Sequence, residues 1–371
     1  MALDLATLPT MDVAGRAPRL REALADAGCD GLLVTNLTNV RYLTGFTGSA
    51  ALLLVMPDEL VFVTDGRYRD QAALELGAGG VPAAIAVGRT SDEQRDHLQR
   101  PAKALRTIGL EAEDVTWAQQ QRFADDWFPH ADLVATGGVV EQLRQVKDAG
   151  EVARLEAACG IADDALATVR HRLTEGPTES EFALELEWEM RRAGAEAPSF
   201  DTIVASGPNG ARPHHRAGTR RIEEGDLVVI DFGALVDGYH SDMTRTVMVG
   251  EPSATQARMY EVVHASQAAG VAAVRAGVTV KDVDEACRAV IREAGWEDLF
   301  IHGTGHGVGL DIHEAPRVSF SADATLADGH VVTVEPGVYL AEHGGVRIED
   351  TVVVTPEGSR TLTRAPKGRD A

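Results

Sequence analysis

Three apolar segments of this chain each contain a carboxylate, and this feature limits what the chain can fold into. Asp231 interrupts LVVIDFGALV, Glu335 ends the run HVVTV, and Glu349 lies in VRIEDTVVV. Burying an unpaired carboxylate is costly, so the fold must bring a positive charge or hydrogen-bond donors to each of them. A buried ion pair on each strand would satisfy this requirement, with Arg347 as a candidate partner of Glu349. A shared metal site would satisfy it for all three.

A predicted hairpin adds a fourth carboxylate. The strand with Asp231 is followed by a turn at Val236-Asp237-Gly238, after which the chain returns as YHSDMTRTV. If the turn centres on its last two residues, Asp231 faces Thr244, and Asp242 is the diagonal neighbour at roughly 7–8 Å between Cα atoms. Two aspartates on one face repel each other unless a cation lies between them, or unless one of them is a solvated turn residue.

A glycine-rich segment supplies imidazoles. HGTGHGVGLDIHEAP, residues 302–316, contains His302, His306 and His313, and its glycines predict a loop in which backbone comes close to another group. A phosphate-binding loop is the alternative, but GK[ST] is absent and no GxGxxG opens a helix after a strand. Four carboxylates with one imidazole suit Mn²⁺, Co²⁺ or Zn²⁺. One catalytic ion does not need so many ligands, whereas two ions roughly 3.5 Å apart use them all.

The secondary-structure pattern changes near Leu143 and predicts two domains, at residues 1–142 and 143–371. The first alternates helices and strands, which is typical of an α/β domain with a helix-covered sheet. Its predicted helices cover 16–27 and 68–76, and its strands 31–35, 50–56, 60–64 and 83–87. The second is predicted to be α+β with mixed or antiparallel pairing. Its helices cover 151–173, 178–193, 255–275 and 279–294, and its strands 202–206, 227–235, 244–250, 330–340 and 346–355.

Composition limits the partners. Acidic residues outnumber basic ones by 57 to 35, for a formal charge of −22, which argues against nucleic acid and anionic membrane as partners. We find no signal-peptide pattern and no apolar run that could span a bilayer. Cys29, Cys159 and Cys287 stand far apart in helix-like stretches without metal-ligand spacing. They predict reduced thiols in a cytoplasmic protein.

Taken together, IDFGALVDGYHSDMTRT, HGTGHGVGLDIHE, VEPGVY and VRIED resemble the metallopeptidases of the pita-bread fold, which include methionine aminopeptidase, aminopeptidase P and prolidase. The resemblance covers most of residues 150–360. NVRYLTGFTGSA (39–50) and VFVTDGRYRDQA (61–72) resemble the N-terminal domain of prolidase and aminopeptidase P, which methionine aminopeptidases lack. The implied fold is a creatinase-like α/β domain followed by an α+β pita-bread domain.

The resemblance implies an Xaa-Pro peptidase with two divalent metal ions, Mn²⁺ being expected and Co²⁺ or Zn²⁺ alternatives. Asp231 chelates one ion, His306 and Glu335 bind the other, and Asp242 and Glu349 bridge both. Glu335 also accepts a proton from the attacking water. Short proline-containing peptides are the implied substrates, and we expect a homodimer. Aminopeptidase P and prolidase activities both remain open.

Further roles follow from the same resemblance. His214 lies near the leaving group, His313 stabilises the tetrahedral intermediate, and His302 lines the pocket for the proline ring. Arg347 supports the bridging carboxylate. Arg317 is a candidate for binding the free carboxylate of a dipeptide, although a surface charge explains it equally well. Phe200 stands where some aminopeptidases P have tyrosine, so a proton relay through a phenolic hydroxyl is excluded at this position.

The chemistry suits proline, because a peptide bond to proline is a tertiary amide without an N–H and peptidases that hydrogen-bond that group fail on it. Two alternative functions belong to the same fold. A creatinase-type hydrolase works without metal, and a non-catalytic pita-bread module binds partners after its ligands are lost. The full ligand set, Asp231, Asp242, His306, Glu335 and Glu349, argues against both.

Overall fold

The computed structural model describes residues 3–370, which form two compact units. One unit is Met11–Arg144, and the other contains the described residues before and after it. The junction therefore lies two residues beyond the predicted 142/143 boundary. Residues 3–10, which were predicted to be part of the first domain, belong to the second unit. Arg154 explains this placement, since its Nη1 donates to the carbonyl of Pro9 at 2.9 Å. The first two residues and the last lie outside the described part.

The first unit is built on a six-stranded mixed sheet in the order β4-β3-β2-β1-β5-β6. Strands β1 and β5, β5 and β6, and β3 and β4 pair in parallel, whereas β2 is antiparallel to both of its neighbours. The predicted helix-covered sheet is confirmed. The strands are β1 (Gly31–Val34), β2 (Ala51–Val55), β3 (Leu60–Thr64), β4 (Ala83–Val87), β5 (Thr107–Glu111) and β6 (Asp132–Thr136).

Helices alternate with these strands along the chain. Leu33 and Leu54 of the sheet and Leu98 and Phe128 from other elements share one apolar core. The helices are α1 (Arg16–Asp26), α2 (Leu37–Thr44), α3 (Arg69–Ala78), α4 (Ser91–Ala102), α5 (Trp117–Arg122) and α6 (Val139–Gln145).

Each helix of the second unit begins and ends within four residues of its predicted bounds. Capping boxes at Asp148, Thr178 and Ser253 fix the first residue of three of them, because each cap accepts a backbone N–H while the residue at N3 bonds back. The helices are α7 (Ala149–Val169), α8 (Glu179–Ala193), α9 (Ala254–Ala273) and α10 (Val280–Glu293).

The named strands of the second unit pair only in antiparallel fashion within the described chain, as the α+β prediction allows. They form sheets in the orders β11-β10-β7, β12-β9-β8 and β14-β13-β15-β18-β19, and the pair β16-β17. The strands are β7 (Ala197–Pro198), β8 (Ile203–Ser206), β9 (Leu227–Phe232), β10 (Ala234–Val236), β11 (Tyr239–His240), β12 (Met243–Met248), β13 (Gly305–Gly307), β14 (Glu314–Val318), β15 (Val331–Val334), β16 (Gly337–Leu340), β17 (Gly344–Arg347), β18 (Asp350–Thr355) and β19 (Gly358–Thr361).

The prediction of continuous strands at 227–235, 330–340 and 346–355 is wrong, because each segment is divided between two sheets. Gly233 separates β9 from β10, and a Cβ on it would lie 1.8 Å from the carbonyl oxygen of Ser241. Glu335 and Pro336 separate β15 from β16, and Glu349 lies between β17 and β18. Proline has no N–H for a ladder, which favours the second break.

Cys159 and Cys287 lie in helices α7 and α10, but the expectation that Cys29 is helical is wrong. Helix α1 ends before Gly28, whose φ of 73° is a left-handed conformation that stops a helix. The three cysteines are buried and free. Within residues 3–370, no helix has the length and apolar character needed to cross a membrane.

Candidate metal centre and substrate cavity

The hairpin formed by β9 and β12 has the predicted register, with Asp231 paired to Thr244. Asp242 immediately precedes β12, and Glu349 precedes β18. Asp231, Asp242 and Glu349 each offer an oxygen atom, and these atoms all lie within 4.8 Å of one another. The structure therefore brings together three of the predicted ligands from three separate segments.

The two remaining predicted ligands form a second group around Asp242. His306 on β13 places its Nε2 atom 3.4 Å from Asp242 Oδ2 and 3.4 Å from Glu335 Oε1. Asp242 thus belongs to both groups. All five side chains predicted to hold metal converge in one place, in two overlapping sets.

The charges and burial of these groups fit a divalent cation. Asp242 is 5% exposed and Glu349 is 1% exposed. Burial raises the pKa of Asp242, Glu335 and Glu349, and repulsion between neighbouring carboxylates raises it further for Asp242 and Glu349. Among residues 3–370, Asp231 Oδ1 and Glu349 Oε1 are buried without a hydrogen-bond donor. Two buried carboxylate oxygens without a donor are free to ligate a cation, and the oxygen-rich set with one imidazole suits a hard or borderline ion.

Arg347 is the buried cation beside the cluster. Its Nη2 donates to Asp231 Oδ2 at 2.6 Å, and its Nε donates to Thr244 Oγ1 at 3.0 Å. Thr244 in turn donates to Glu349 Oε2 at 2.7 Å. Arg347 therefore contacts Asp231 directly, not the carboxylates expected to bridge, and it reaches Glu349 only through the threonine hydroxyl.

His302 lies next to this arginine through Tyr339. The tyrosine hydroxyl is 2.8 Å from His302 Nε2 and accepts from Arg347 Nη1 at 2.9 Å. Burial, with the nearby charge of Arg347, lowers the pKa of His302 to about 4. The imidazole is therefore neutral at physiological pH and packs edge-on against Phe300, with ring centroids 5.1 Å apart.

The ligands open onto a cavity of about 670 Å³, a size typical of small-molecule sites. His214, His302, His313 and Arg317 all line it, so the residues predicted for catalysis and substrate binding meet at the metal ligands. His313 packs edge-on against His306, with ring centroids 4.4 Å apart. Partial desolvation in the cavity, followed by electrostatic repulsion from His306 and Arg317, lowers the pKa of His313 to about 4, which leaves a neutral imidazole.

Comparison with known proteins identifies the family of this chain. Residues 153–356 match the model of metallopeptidase family M24, and residues 16–146 match that of the creatinase/prolidase N-terminal domain. The chain belongs to metallopeptidase family M24. The predicted resemblance to the Xaa-Pro metallopeptidases and the predicted fold, a pita-bread domain after an α/β domain, are confirmed. As an M24 member the chain is a metal-dependent peptidase, and neither the metal-independent hydrolase nor the non-catalytic module receives support.

Several relatives match most of this chain. An Xaa-Pro dipeptidase of Pyrococcus furiosus is 48% identical over 272 residues, which are 73% of this chain and 78% of that protein. The structure of an Xaa-Pro dipeptidase from Bacillus anthracis has a TM-score of 0.91 at 39% identity and covers 96% of this chain and 99% of its own. The structure of an X-Pro aminopeptidase from Thermotoga maritima has a TM-score of 0.86 at 35% identity, with coverages of 94% and 100%.

Sequence reasoning missed several residues of the M24 site. Ile301 and Phe320 line the cavity although they are 65% and 67% exposed, so the cavity includes apolar surface that solvent can reach. Phe200, considered only for its missing hydroxyl, lines the same cavity. Tyr339 is the last residue of the motif VEPGVY, so the sequence did contain a signal that it belongs to the site. No sequence signal pointed to Ile301 or Phe320.

Two glycines of the histidine-rich segment, Gly305 and Gly307, allow the predicted close approach of backbone to another group, but they lie in strand β13 and not in a loop. A Cβ on Gly305 would lie 2.0 Å from the carbonyl oxygen of Thr333, and one on Gly307 would lie 2.3 Å from that of Ala315. These glycines allow β13 to pack against its neighbouring strands. The pairing of β13 with these strands, and not a loop, places His306 beside Asp242 and Glu335.

Proposed function

We propose that this M24 peptidase is an Xaa-Pro dipeptidase with a dinuclear metal centre, which hydrolyses the bond before a C-terminal proline. The observation that carries the proposal is the membership of Asp242 in both ligand groups, because one shared carboxylate suits two neighbouring ions. Asp231 would hold one ion and His306 with Glu335 the other, while Asp242 and Glu349 would serve both. Mn²⁺ is the expected metal, with Co²⁺ or Zn²⁺ as alternatives.

When bound, the ions polarise the substrate carbonyl and make water nucleophilic at neutral pH. The chain's own residues handle the protons and the developing charge. Glu335 accepts a proton from the attacking water through a carboxylate oxygen. His313 is neutral, so its ring N–H can donate a hydrogen bond to the carbonyl oxygen as negative charge develops there. His214 lies beside the nitrogen that leaves.

The first reason to expect proline is that the site needs no amide N–H from the bond that it cleaves. A bond to proline has no amide N–H to donate, and the cavity offers metal ligands and imidazoles to the carbonyl side of the bond. The neutral His302 and Phe300, which both line the cavity, give the compact apolar ring of proline a matching surface. Arg347 forms an ion pair with Asp231 and donates a hydrogen bond to the hydroxyl of Tyr339, which in turn contacts His302.

The choice of a dipeptide over a longer peptide rests on Arg317. Two arginines other than Arg347 line the cavity. Arg288 is occupied, because its Nε donates to Asp284 Oδ2 at 2.7 Å. Arg317 on β14 has no carboxylate partner among the described residues, so its guanidinium is available for the carboxylate of a C-terminal proline, which it can bind through two parallel hydrogen bonds.

The test is the hydrolysis of Ala-Pro, Ala-Pro-Ala, Ala-Ala and N-acetyl-Ala-Pro by the Mn²⁺-loaded protein. We expect Ala-Pro to be cleaved fastest, and acetylation to abolish cleavage because it removes the free amine that would lie near Asp231 and the metals. Arg317→Met should raise KM for Ala-Pro by about 10–100-fold, the value of a charge-assisted bidentate contact, and leave Ala-Pro-Ala unchanged. Arg292→Met, which removes an exposed arginine paired with Glu285, is the control.

Two results would contradict the proposal at different levels. Equal hydrolysis of Ala-Ala would leave only a general metallopeptidase. Cleavage of Ala-Pro-Ala that exceeds that of Ala-Pro, with Arg317→Met affecting both alike, would favour the X-Pro aminopeptidase reaction. The homodimer and the cytoplasmic location stay predictions, and light scattering of the purified protein tests the first.

A further inference from the structure

A buried carboxylate outside the metal centre has no part in the proposed reaction. Glu179 is the first residue of α8 and is 0% exposed. Its Oε1 atom accepts hydrogen bonds from Ser206 N at 2.8 Å, Ser206 Oγ at 2.7 Å and Asn209 Nδ2 at 2.9 Å. Its Oε2 atom accepts from His215 Nε2 at 2.8 Å and from Gly218 N at 3.1 Å. Both oxygens of one carboxylate are thus fully used.

The donors share one feature, since all of them lie in the segment 206–218. Ser206 ends β8, Asn209 lies in the 3-10 helix that follows, and Gly218 is near the end of the segment. His215 is the residue directly after His214, which lines the substrate cavity. Although burial opposes it, these donors lower the pKa of Glu179, so the carboxylate is ionised. Glu179 therefore fastens the His214 segment at its beginning, in its middle and near its end.

The opposite side of the segment rests on β17. A Cβ on Gly345 would lie 2.0 Å from the carbonyl oxygen of Gly210, and one on Gly344 would lie 2.6 Å from that of Gly207. Arg347, at the end of the same strand, donates to the carbonyl oxygen of Pro213 at 3.4 Å. The backbone of the segment is thus held both by the Glu179 carboxylate and by close packing against β17, which restricts where the chain places His214.

We propose that Glu179 is a positioning residue for the reaction: it holds the His214 segment so that the imidazole stands at the leaving nitrogen. The proposal rests on the proposed function, in which His214 has that place. Glu179 touches neither the metal ligands nor the cavity, so it acts only through the segment. Its effect is on transition-state geometry, and a displacement of a reacting group by about 1 Å can cost about 10²-fold in rate.

The substitution that tests this is Glu179→Gln, because the amide cannot replace the carboxylate in either orientation. One side must accept from Ser206 N–H and the other from Gly218 N–H, and the amide NH₂ opposes one of these donors whichever way it turns. We expect kcat to fall by about 10–10²-fold with KM and metal content little changed. Glu181→Gln is the matched control on the same helix, since Glu181 only caps the helix through Thr178 N. It should leave kcat unchanged.

A double-mutant cycle with His214→Ala separates positioning from general damage. If Glu179 acts through His214, Glu179→Gln costs nothing further in the His214→Ala background. Equal losses in both backgrounds would overturn the proposal. Asn209→Ala, which removes one donor to Glu179 together with the acceptor of Arg212 Nη2, should show a smaller loss with the same non-additivity and serves if Glu179→Gln does not fold. The cycle is run on whichever peptide the wild type cleaves best, so a failure of the Xaa-Pro assignment is visible separately, in the wild-type specificity.

Discussion

The hydroxyl of Thr244 is predicted to set the metal affinity of the centre. Thr244 is completely buried, donates to Glu349 Oε2 at 2.7 Å and accepts from Arg347 Nε at 3.0 Å. Thr244→Val keeps the shape of the side chain and removes both bonds. A hydrogen bond to a charged group contributes about 1.5–3 kcal/mol, and loss of a group that orients a ligand typically costs about 10–100-fold in metal affinity. The two figures agree, since about 1.4 kcal/mol is tenfold.

Thr246→Val provides a matched control for this experiment. Thr246 lies on the same strand, is equally buried, and also donates one hydrogen bond and accepts one. Its partners, however, are the backbone carbonyl of Arg347 at 2.8 Å and the backbone N–H of Arg347 at 3.0 Å. We expect both variants to lose stability when the metal is chelated, and only Thr244→Val to lose metal affinity.

Calorimetric titration of Mn²⁺ into the chelated proteins, with denaturant unfolding of the same samples, measures both quantities. Thr244→Val should bind Mn²⁺ about 10–100-fold more weakly than the wild type. The reasoning would be refuted if Thr246→Val lost as much affinity, because the effect would then follow the hydrogen-bond count of the strand. Wild-type affinity in Thr244→Val would show that Glu349 is oriented by other groups.

Two further predictions follow from the geometry. Asp242→Ala should abolish activity and the binding of both ions together, because Asp242 belongs to both ligand groups; a variant that keeps two ions by elemental analysis contradicts the assignment. Gly345→Ala should destabilise the fold by about 1–3 kcal/mol in denaturant unfolding, since its Cβ meets the carbonyl of Gly210. Gly160→Ala, in the interior of α7 with no atom within 4 Å of the new Cβ, should stabilise by about 0.5–1 kcal/mol. The same sign for both variants would contradict the packing argument.

The sequence predicted best what depends on neighbours along the chain. The position of one turn was enough to pair Asp231 with Thr244, because register in a hairpin follows from its turn. The partner of Arg347 could not be derived in this way. The predicted partner was close in sequence, whereas the observed one, Asp231, comes from another strand and is decided by tertiary packing. The groups that approach the glycines of residues 302–316 could not be named from the sequence either, because the carbonyl of Thr333 comes from another strand and that of Ala315 reaches Gly307 only through the pairing of β13 with β14.

The ends of the strands next to the ligands also depend on tertiary packing and could not be derived from the sequence. Asp242, Glu335 and Glu349 each stand between two strands that belong to different sheets, where the backbone leaves one ladder and bonds elsewhere. Glu335 N donates to Thr304 O at 2.7 Å, and Glu349 N donates to Thr244 O at 3.1 Å. Where the chain passes from one sheet to another, the residue between the two strands lies at the boundary of the sheets. Ligands from separate sheets can therefore converge at this boundary. Apolar periodicity continues through such a point and hides it. At Glu335 and Glu349 the carboxylate within the apolar run coincides with the break, and it is also a predicted ligand that the break places.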